Sequence, residues 1–221
     1  MPHLTQKVSV DLVVFDLDGT LADSLADLTN AANYACRKLK LPERRPAEVQ
    51  GMIGGGERKF MERLVGTGHQ ALVEDCLRLY LDYYTRHCGD LTRLYPGVPE
   101  TLEKLAAGKK LAVLSNKLQR LTVKILEILG IAPWFTAIRG GGTELPLKPS
   151  PDPLTALMRE LAAAPNRTLM VGDKPADIAT ARGAGALVAA VTYGYGDLPS
   201  LTAAAPDFLL QEFSQLPEIV D

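Results

Sequence analysis

Asp16 and Asp18 stand one residue apart at the end of a β-branched, apolar run, Val8-Ser9-Val10-Asp11-Leu12-Val13-Val14, and are followed by Gly19 and Thr20. Alternate residues of an extended chain point the same way, so the two carboxylates can share one small pocket. Two negative charges that close repel, and the arrangement makes sense only with a cation or a shared proton. Two more apolar runs end on polar groups: Leu111–Leu114 on Ser115 and Asn116, and Thr168–Val171 on Gly172 and Asp173, with Asp177 following. Lys148 lies among Pro146, Pro149, Pro151 and Pro153, whose fixed φ angles hold a stiff, extended segment. Three carboxylates near one point suit a hard divalent ion, and few side-chain ligands plus water suit Mg²⁺. Ser115 and Asn116 can donate hydrogen bonds, and Lys148 supplies a positive charge. A phosphoryl group in reaction needs this set: a nucleophile, a metal, donors and a cation around its oxygens.

The elements that must position these groups follow from the apolar spacing. Val8–Val14 reads as a buried strand. Leu25, Leu28, Ala32, Ala35 and Leu39 recur at helical steps, with Asp23 or Ser24 able to cap the start. Helical pieces follow over about 46–53, through Phe60 and Leu64, and through Leu72, Cys76, Leu79, Tyr80 and Tyr83. From Ser24 to about Thr92 the pattern predicts helices and no strand. After Leu94-Tyr95-Pro96-Gly97 short apolar strands alternate with amphipathic helices, the signature of a parallel sheet. Strands are expected at Leu111–Leu114, near Thr136–Ile138, and at Thr168–Val171, Leu187–Val191 and Phe208–Leu210. In an open α/β sheet ligands gather beyond the carboxyl ends of the strands. The fold class is therefore α/β, a Rossmann-like parallel sheet. Residues 1–22 and 93–221 form the core, and residues 23–92 form an inserted all-helical domain.

Composition narrows the function. The 221 residues suffice for one sizeable core with a small insert, and 47% apolar with 23% charged residues is ordinary for a globular protein. A net charge of −2 gives no electrostatic footprint for nucleic acid or an anionic membrane. No apolar run approaches the roughly 20 residues that span a bilayer. Residues 1–7 show no signal-peptide stretch. Cys36, Cys76 and Cys88 are an odd count without CxxC spacing, which argues against disulfides and a zinc site. The expectation is a cytoplasmic protein with reduced thiols, a monomer or weak homodimer.

The chain resembles a haloacid-dehalogenase-superfamily phosphatase, with four motifs in the expected order: Asp16 to Thr20, Ser115 in Leu114-Ser115-Asn116-Lys117, Lys148 in Lys148-Pro149-Ser150-Pro151-Asp152-Pro153, and Gly172-Asp173 through Asp177. A helical insert after the first motif places the resemblance in the phosphoglycolate phosphatase and β-phosphoglucomutase branch, where the insert is a cap. The resemblance implies Asp16 as nucleophile and Asp18 as acid and base. It implies Mg²⁺ held by Asp16, the backbone carbonyl of Asp18, and Asp173, with Asp177 outer-shell. Ser115, Asn116 and Lys148 would bind the phosphoryl oxygens. The implied substrate is a small phosphorylated metabolite, phosphoglycolate first. A sugar-phosphate mutase or inorganic pyrophosphatase would use much the same core, and a non-catalytic phosphate-binding regulatory protein is a reading of another class.

One stretch departs from the family. A small hydroxyl residue usually follows the aspartate of the last motif and an Asn often precedes its second aspartate; here Lys174 and Ala176 stand there, with Pro175 between. Changed metal affinity with retained activity is the expectation. Blander readings stand beside several residues. Thr20 can simply close its turn, and Asp177 can be a helix N-terminal acid favoured by the dipole. Gly54-Gly55-Gly56 can cradle an anion or serve as a connector. Arg58, with Lys59 and Arg63, would suit a substrate carboxylate from the cap, although helix charges usually form a solvated face. Tyr80, Tyr83 and Tyr84 read as cap core, and Gly140-Gly141-Gly142 as a loop.

Overall fold

The structure is a computed structural model that describes residues 7–221. A six-stranded sheet lies at its centre, in the order β5-β4-β1-β6-β7-β8, with every neighbouring pair parallel. The strands are β1 (Leu12–Phe15), β4 (Lys110–Leu118), β5 (Ala137–Gly141), β6 (Thr168–Gly172), β7 (Leu187–Val191) and β8 (Phe208–Leu210). A parallel sheet carries helices on both faces, so its strands are apolar throughout. In β1, Val13 and Phe15 face one buried cluster and Leu12 and Val14 the other. On the first side Phe15 packs edge-on against Phe135 and tilted against Phe213, at ring distances of 6.2 and 5.7 Å. On the second side Leu12 and Val14 share their cluster with Leu154, Leu157 and Met158 of α7 (Asp152–Glu160) and Ile178 of α8 (Pro175–Gly183). The remaining helices of this part are α5 (Val98–Ala106), α6 (Gln119–Ile128), α9 (Leu198–Ala203) and α10 (Leu216–Ile219).

Between β1 and α5 the chain forms a short antiparallel pair, β2 (Ala22–Asp23) with β3 (Arg93–Leu94), and between those two strands lie four helices. These are α1 (Leu25–Lys38), α2 (Pro46–Met52), α3 (Gly56–Val65) and α4 (Val73–His87). Small residues Ala31, Ala32, Ala35 and Cys36 let α1 approach α4, where Tyr34 stacks on Tyr83 at 4.7 Å. Phe60, Tyr80 and Tyr84 continue the aromatic packing. The two strands that enter and leave the helical block are tied at one point. Asp27, buried in the first turn of α1, accepts the Leu91 and Thr92 N–H groups and the Thr92 hydroxyl at 2.8 to 3.0 Å.

Several elements differ from the sequence pattern. β1 begins at Leu12, and Val8 instead forms an isolated bridge to Val220 near the carboxyl terminus. Gly140 and Gly141 belong to β5, not to a loop; a Cβ on either would lie within 2.6 Å of the backbone of β4 or of Gln119. Close approach of two chains hides a strand in residues that read as a turn. α9 and α10 are too short for helical periodicity to show. Among the described residues no helix is long and apolar enough to cross a membrane, and all three cysteines are free and buried.

Candidate active site

The three strands whose ends carry polar groups are adjacent: β4, β1 and β6 form the middle of the sheet. Asp16, Ser115 and Asp173 therefore converge without any long excursion of the chain. The loop after β1 turns tightly, with the N–H groups of Thr20, Leu21 and Ala22 all donating to the Leu17 carbonyl. Gly19 takes φ +83°, and a Cβ there would lie 2.3 Å from Oδ2 of Asp173. Only glycine fits a left-handed position packed so closely on a carboxylate.

Carboxylate oxygens of Asp16, Asp173 and Asp177 lie within 4.8 Å of one another. Asp16 Oδ1 accepts the Leu17 N–H at 2.7 Å and pairs with Lys148 Nζ at 3.0 Å. Asp173 accepts the Tyr195 N–H at 2.7 Å on Oδ2, with the Thr20 hydroxyl at 3.4 Å from Oδ1. Asp177 accepts the Lys174 N–H at 3.0 Å and pairs with Lys148 at 2.7 Å. Asp177 thus serves the start of α8 and stands in the acidic cluster as well. Burial pushes the Asp173 carboxyl up to about 8, and Asp177 and Asp16 push the same way. Burial also raises Asp177, with Lys148 opposing. Once all three carboxylates are ionised, one ammonium leaves two negative charges together in a buried place, and a divalent cation fits that deficit and that all-oxygen donor set.

Lys148 is itself buried, which taken alone disfavours its charge, yet Asp16 and Asp177 more than offset this and hold the ammonium above its ordinary range. Its third donor goes to the Leu114 carbonyl at 2.9 Å, so all three are used. Asn116 grips the main chain of the lysine. Its Nδ2 donates to the Lys148 carbonyl at 2.9 Å and its Oδ1 accepts the Lys148 N–H at 2.8 Å. The amide therefore positions the loop that carries Lys148, and the second Nδ2 hydrogen remains for a ligand in the cleft that Asn116 also lines. Ser115 is buried at a register shift in β4, between Leu114 and Leu118, that carries its residues off the ladder of β5. Such irregularities re-aim side chains beside active sites.

Asp18 is held by groups the motifs do not announce. Ser24 donates its hydroxyl to Asp18 Oδ1 at 2.5 Å, and Lys117 Nζ lies 3.1 Å from Oδ2. Ser24 precedes α1 but does not cap it, because its hydroxyl serves Asp18 instead. Lys117 also donates to the Tyr84 hydroxyl at 2.9 Å and lies 4.6 Å over that ring. Burial disfavours its charge, but Asp18, Tyr80 and Glu57 hold the ammonium above its usual range. Glu57, at the start of α3, accepts the Leu118 N–H at 2.8 Å, and burial raises its carboxyl. Tyr195 bridges the two parts of the molecule: its hydroxyl accepts the Ser24 N–H at 2.7 Å and donates to Asp23 at 3.0 Å, while its own N–H holds Asp173. No motif marks Glu57 or Tyr195, whose contacts come from distant parts of the chain; Ser24 lies six residues after Asp18, and Lys117 adjoins the Ser115 motif.

A cleft opens over these groups, lined by Asp16, Asp18 and Ser115 at the strand ends, by Lys148 from the loop before α7, and by Gly54–Gly56 and Glu57 from the helical block. Arg58 is not brought to it. Its guanidinium pairs with Glu74 on the exposed side of α3, because Arg58 points away from the face that carries Glu57.

The family profile described as haloacid dehalogenase-like hydrolase matches residues 13–191. The chain is 37% identical over 211 residues to a phosphoglycolate phosphatase of Aquifex aeolicus, covering 95% of this chain and 96% of that one. It is 36% identical to a phosphoglycolate phosphatase of Chromobacterium violaceum, with 96% of each covered. A crystal structure described as a predicted phosphoglycolate phosphatase from Haemophilus somnus superposes with a TM-score of 0.91 at 33% identity, covering 95% of this chain and 97% of that one. With the strand-end residues converging as they do, the chain belongs to the haloacid dehalogenase-like hydrolases, among the phosphomonoester hydrolases of that family.

Proposed function

We propose that the protein hydrolyses phosphoglycolate with Mg²⁺, through a phosphoryl group held transiently on Asp16. The observation that carries this reading is the cluster of Asp16, Asp173 and Asp177 around the paired Lys148. The curated relatives named phosphoglycolate phosphatase support the choice of substrate. Asp16, Asp173 and the Asp18 carbonyl would hold the metal, with Asp177 behind them. When bound, Mg²⁺ offsets the clustered carboxylate charge and that of the phosphoryl oxygens.

Leu17 and Lys148 fix Oδ1 of Asp16. Oδ2 forms the bond to phosphorus while the bond to the ester oxygen breaks, so one difficult displacement becomes two easier ones. Asp18 gives its proton to the departing glycolate oxygen. It then takes a proton from the water that attacks the phosphoryl group, which frees Asp16 and releases inorganic phosphate. Ser115 binds an equatorial oxygen, while Lys148, its three donors spent on Asp16, Asp177 and the Leu114 carbonyl, fixes Asp16 and lends its positive charge to the phosphoryl group; Asn116 keeps Lys148 in place. The helical block excludes bulk water and leaves room for a small ester only. Purified protein should release phosphate from phosphoglycolate with Mg²⁺, stop in EDTA, and lose turnover in Asp16→Asn with the fold intact. No release from any phosphate monoester, or full activity in Asp16→Asn, overturns the reading.

A further inference from the structure

Lys174 stands where the family usually has a small hydroxyl residue, and its side chain reaches from the start of α8 to the helical block. Its ammonium donates to the Ile53 carbonyl at 2.6 Å, just past α2, and lies 5.9 Å from the centroid of the Tyr195 ring. It lines the same cleft as Asp16 and Ser115. The other lysines of that cleft are neutralised, Lys148 by Asp16 and Asp177 and Lys117 by Asp18. Among the described residues Lys174 forms no such ion pair, and its near partners are a neutral carbonyl and an aromatic ring.

We propose that Lys174 is a specificity-determining residue that binds a carboxylate at the far end of the phosphate-ester substrate. An ammonium has three donors, and with one on Ile53 two remain for a ligand. Gly54 lies beside it: a Cβ there would stand 3.6 Å from Nζ, and glycine leaves that space uncovered. Elsewhere on the cleft Glu57 presents a carboxyl, which disfavours an anion there and leaves the Lys174 side for the charged tail. A carboxylate brings one negative charge, which a single ammonium balances; a second phosphate would bring about two. Because Ile53 belongs to the helical block, the receptor is complete only with that block seated on the sheet. Closure and recognition of the carboxylate are then one event.

The inference rests on the phosphomonoesterase reading, and equilibrium binding separates the two. The probes are 3-phosphonopropionate, the methylene isostere of phosphoglycolate, and propylphosphonate, which has the same length and an uncharged tail. Calorimetry with Mg²⁺ on the wild-type protein should show the carboxylate probe binding about tenfold or more tightly. Lys174→Gln keeps a donor for Ile53 and should bring the ratio of the two Kd values close to one, while Lys174→Arg retains most of it. A wild-type protein without preference, or a preference that survives in Lys174→Gln, overturns the inference, as does an equal loss for both probes, which would make Lys174 a latch alone. Failure to turn over any monoester would instead sink the catalytic reading, whatever the binding ratio.

Discussion

Asn116 grips the main chain of Lys148 from both sides, its Oδ1 on the lysine N–H at 2.8 Å and its Nδ2 on the lysine carbonyl at 2.9 Å. The lysine that neutralises Asp16 is therefore held by a side chain from the neighbouring strand end. Removing the amide in Asn116→Ala leaves Lys148 charged but loosely placed. Groups that orient a ligating residue are worth about 10- to 100-fold in activity. We expect kcat to fall by that factor with KM changed less, because the oxygens of Asp16 lose their fixed angle of attack. Steady-state kinetics measure it; a pure KM effect would mean that Asn116 contacts substrate directly.

The acidic cluster was legible in the sequence because Asp16 and Asp173 follow apolar strands, whose ends a parallel sheet aligns, and Asp177 stands four residues after Asp173. What the sequence left dark is the set of groups that hold the cluster's members. Ser24 reads, with Asp23, as a candidate helix cap, and nothing in the spacing singles out Tyr195 or Glu57. Glu57 and Tyr195 acquire their contacts only when segments tens of residues apart are packed together, and the Ser24 hydroxyl reaches Asp18, six residues back, only through the tight turn between them; no local periodicity encodes either. Arg58 misled for the complementary reason: helix spacing gives its face only relative to neighbours, and the cleft lies on the side of Glu57. Lys174 was visible as a departure from a motif, but its reach to Ile53 is a tertiary fact.

Gly19 offers a test of how tightly the loop is built. Its left-handed φ and the 2.3 Å approach to Asp173 mean that Gly19→Ala must displace either the loop or the carboxylate. Strain of this kind costs about 1–3 kcal/mol, which for a chain of this size lowers Tm by roughly 2–12 °C. Metal affinity should fall with it, because Asp173 is the group pushed aside. Thermal scans and Mg²⁺ titration check both. An unchanged Tm with unchanged metal response would show that the loop relaxes freely.

Tyr195 connects Asp173 to the entry of the helical block, through its own N–H on one side and its hydroxyl on Ser24 and Asp23 on the other. Tyr195→Phe keeps the N–H on Asp173 and deletes only the hydroxyl. Faster amide exchange at Ser24 and the first turn of α1 should result, along with a several-fold change in turnover if seating of the block limits the rate. Mg²⁺ affinity should stay within about twofold, because the contact to Asp173 is a main-chain one. Exchange measured by mass spectrometry decides. Protection that is unaltered at Ser24 would remove Tyr195 from the hinge.

The last prediction concerns charge. With its carboxyl pushed up to about 8 by burial and by Asp177 and Asp16, Asp173 keeps a proton in the folded, metal-free protein over a range where the unfolded chain has lost it. The unfolded state then binds fewer protons, so the free energy of unfolding falls as pH rises. The contribution is fully present below the ordinary carboxylate pKa, near 4, and is lost as pH climbs through about 8. A divalent cation binds the deprotonated cluster, so its stabilisation must grow across the same window. At a hundredfold excess over Kd a bound ligand adds about 2.7 kcal/mol, or about 5–11 °C in Tm for a protein of this size. We expect Tm in EDTA to decline from pH 5 to pH 8, and the increment from a fixed Mg²⁺ concentration to rise over that interval. Asp173→Asn should flatten the decline and remove the increment. A Mg²⁺ increment independent of pH would mean that the cluster is already ionised without its cation, and that Lys148 suffices to hold Asp16, Asp173 and Asp177 together.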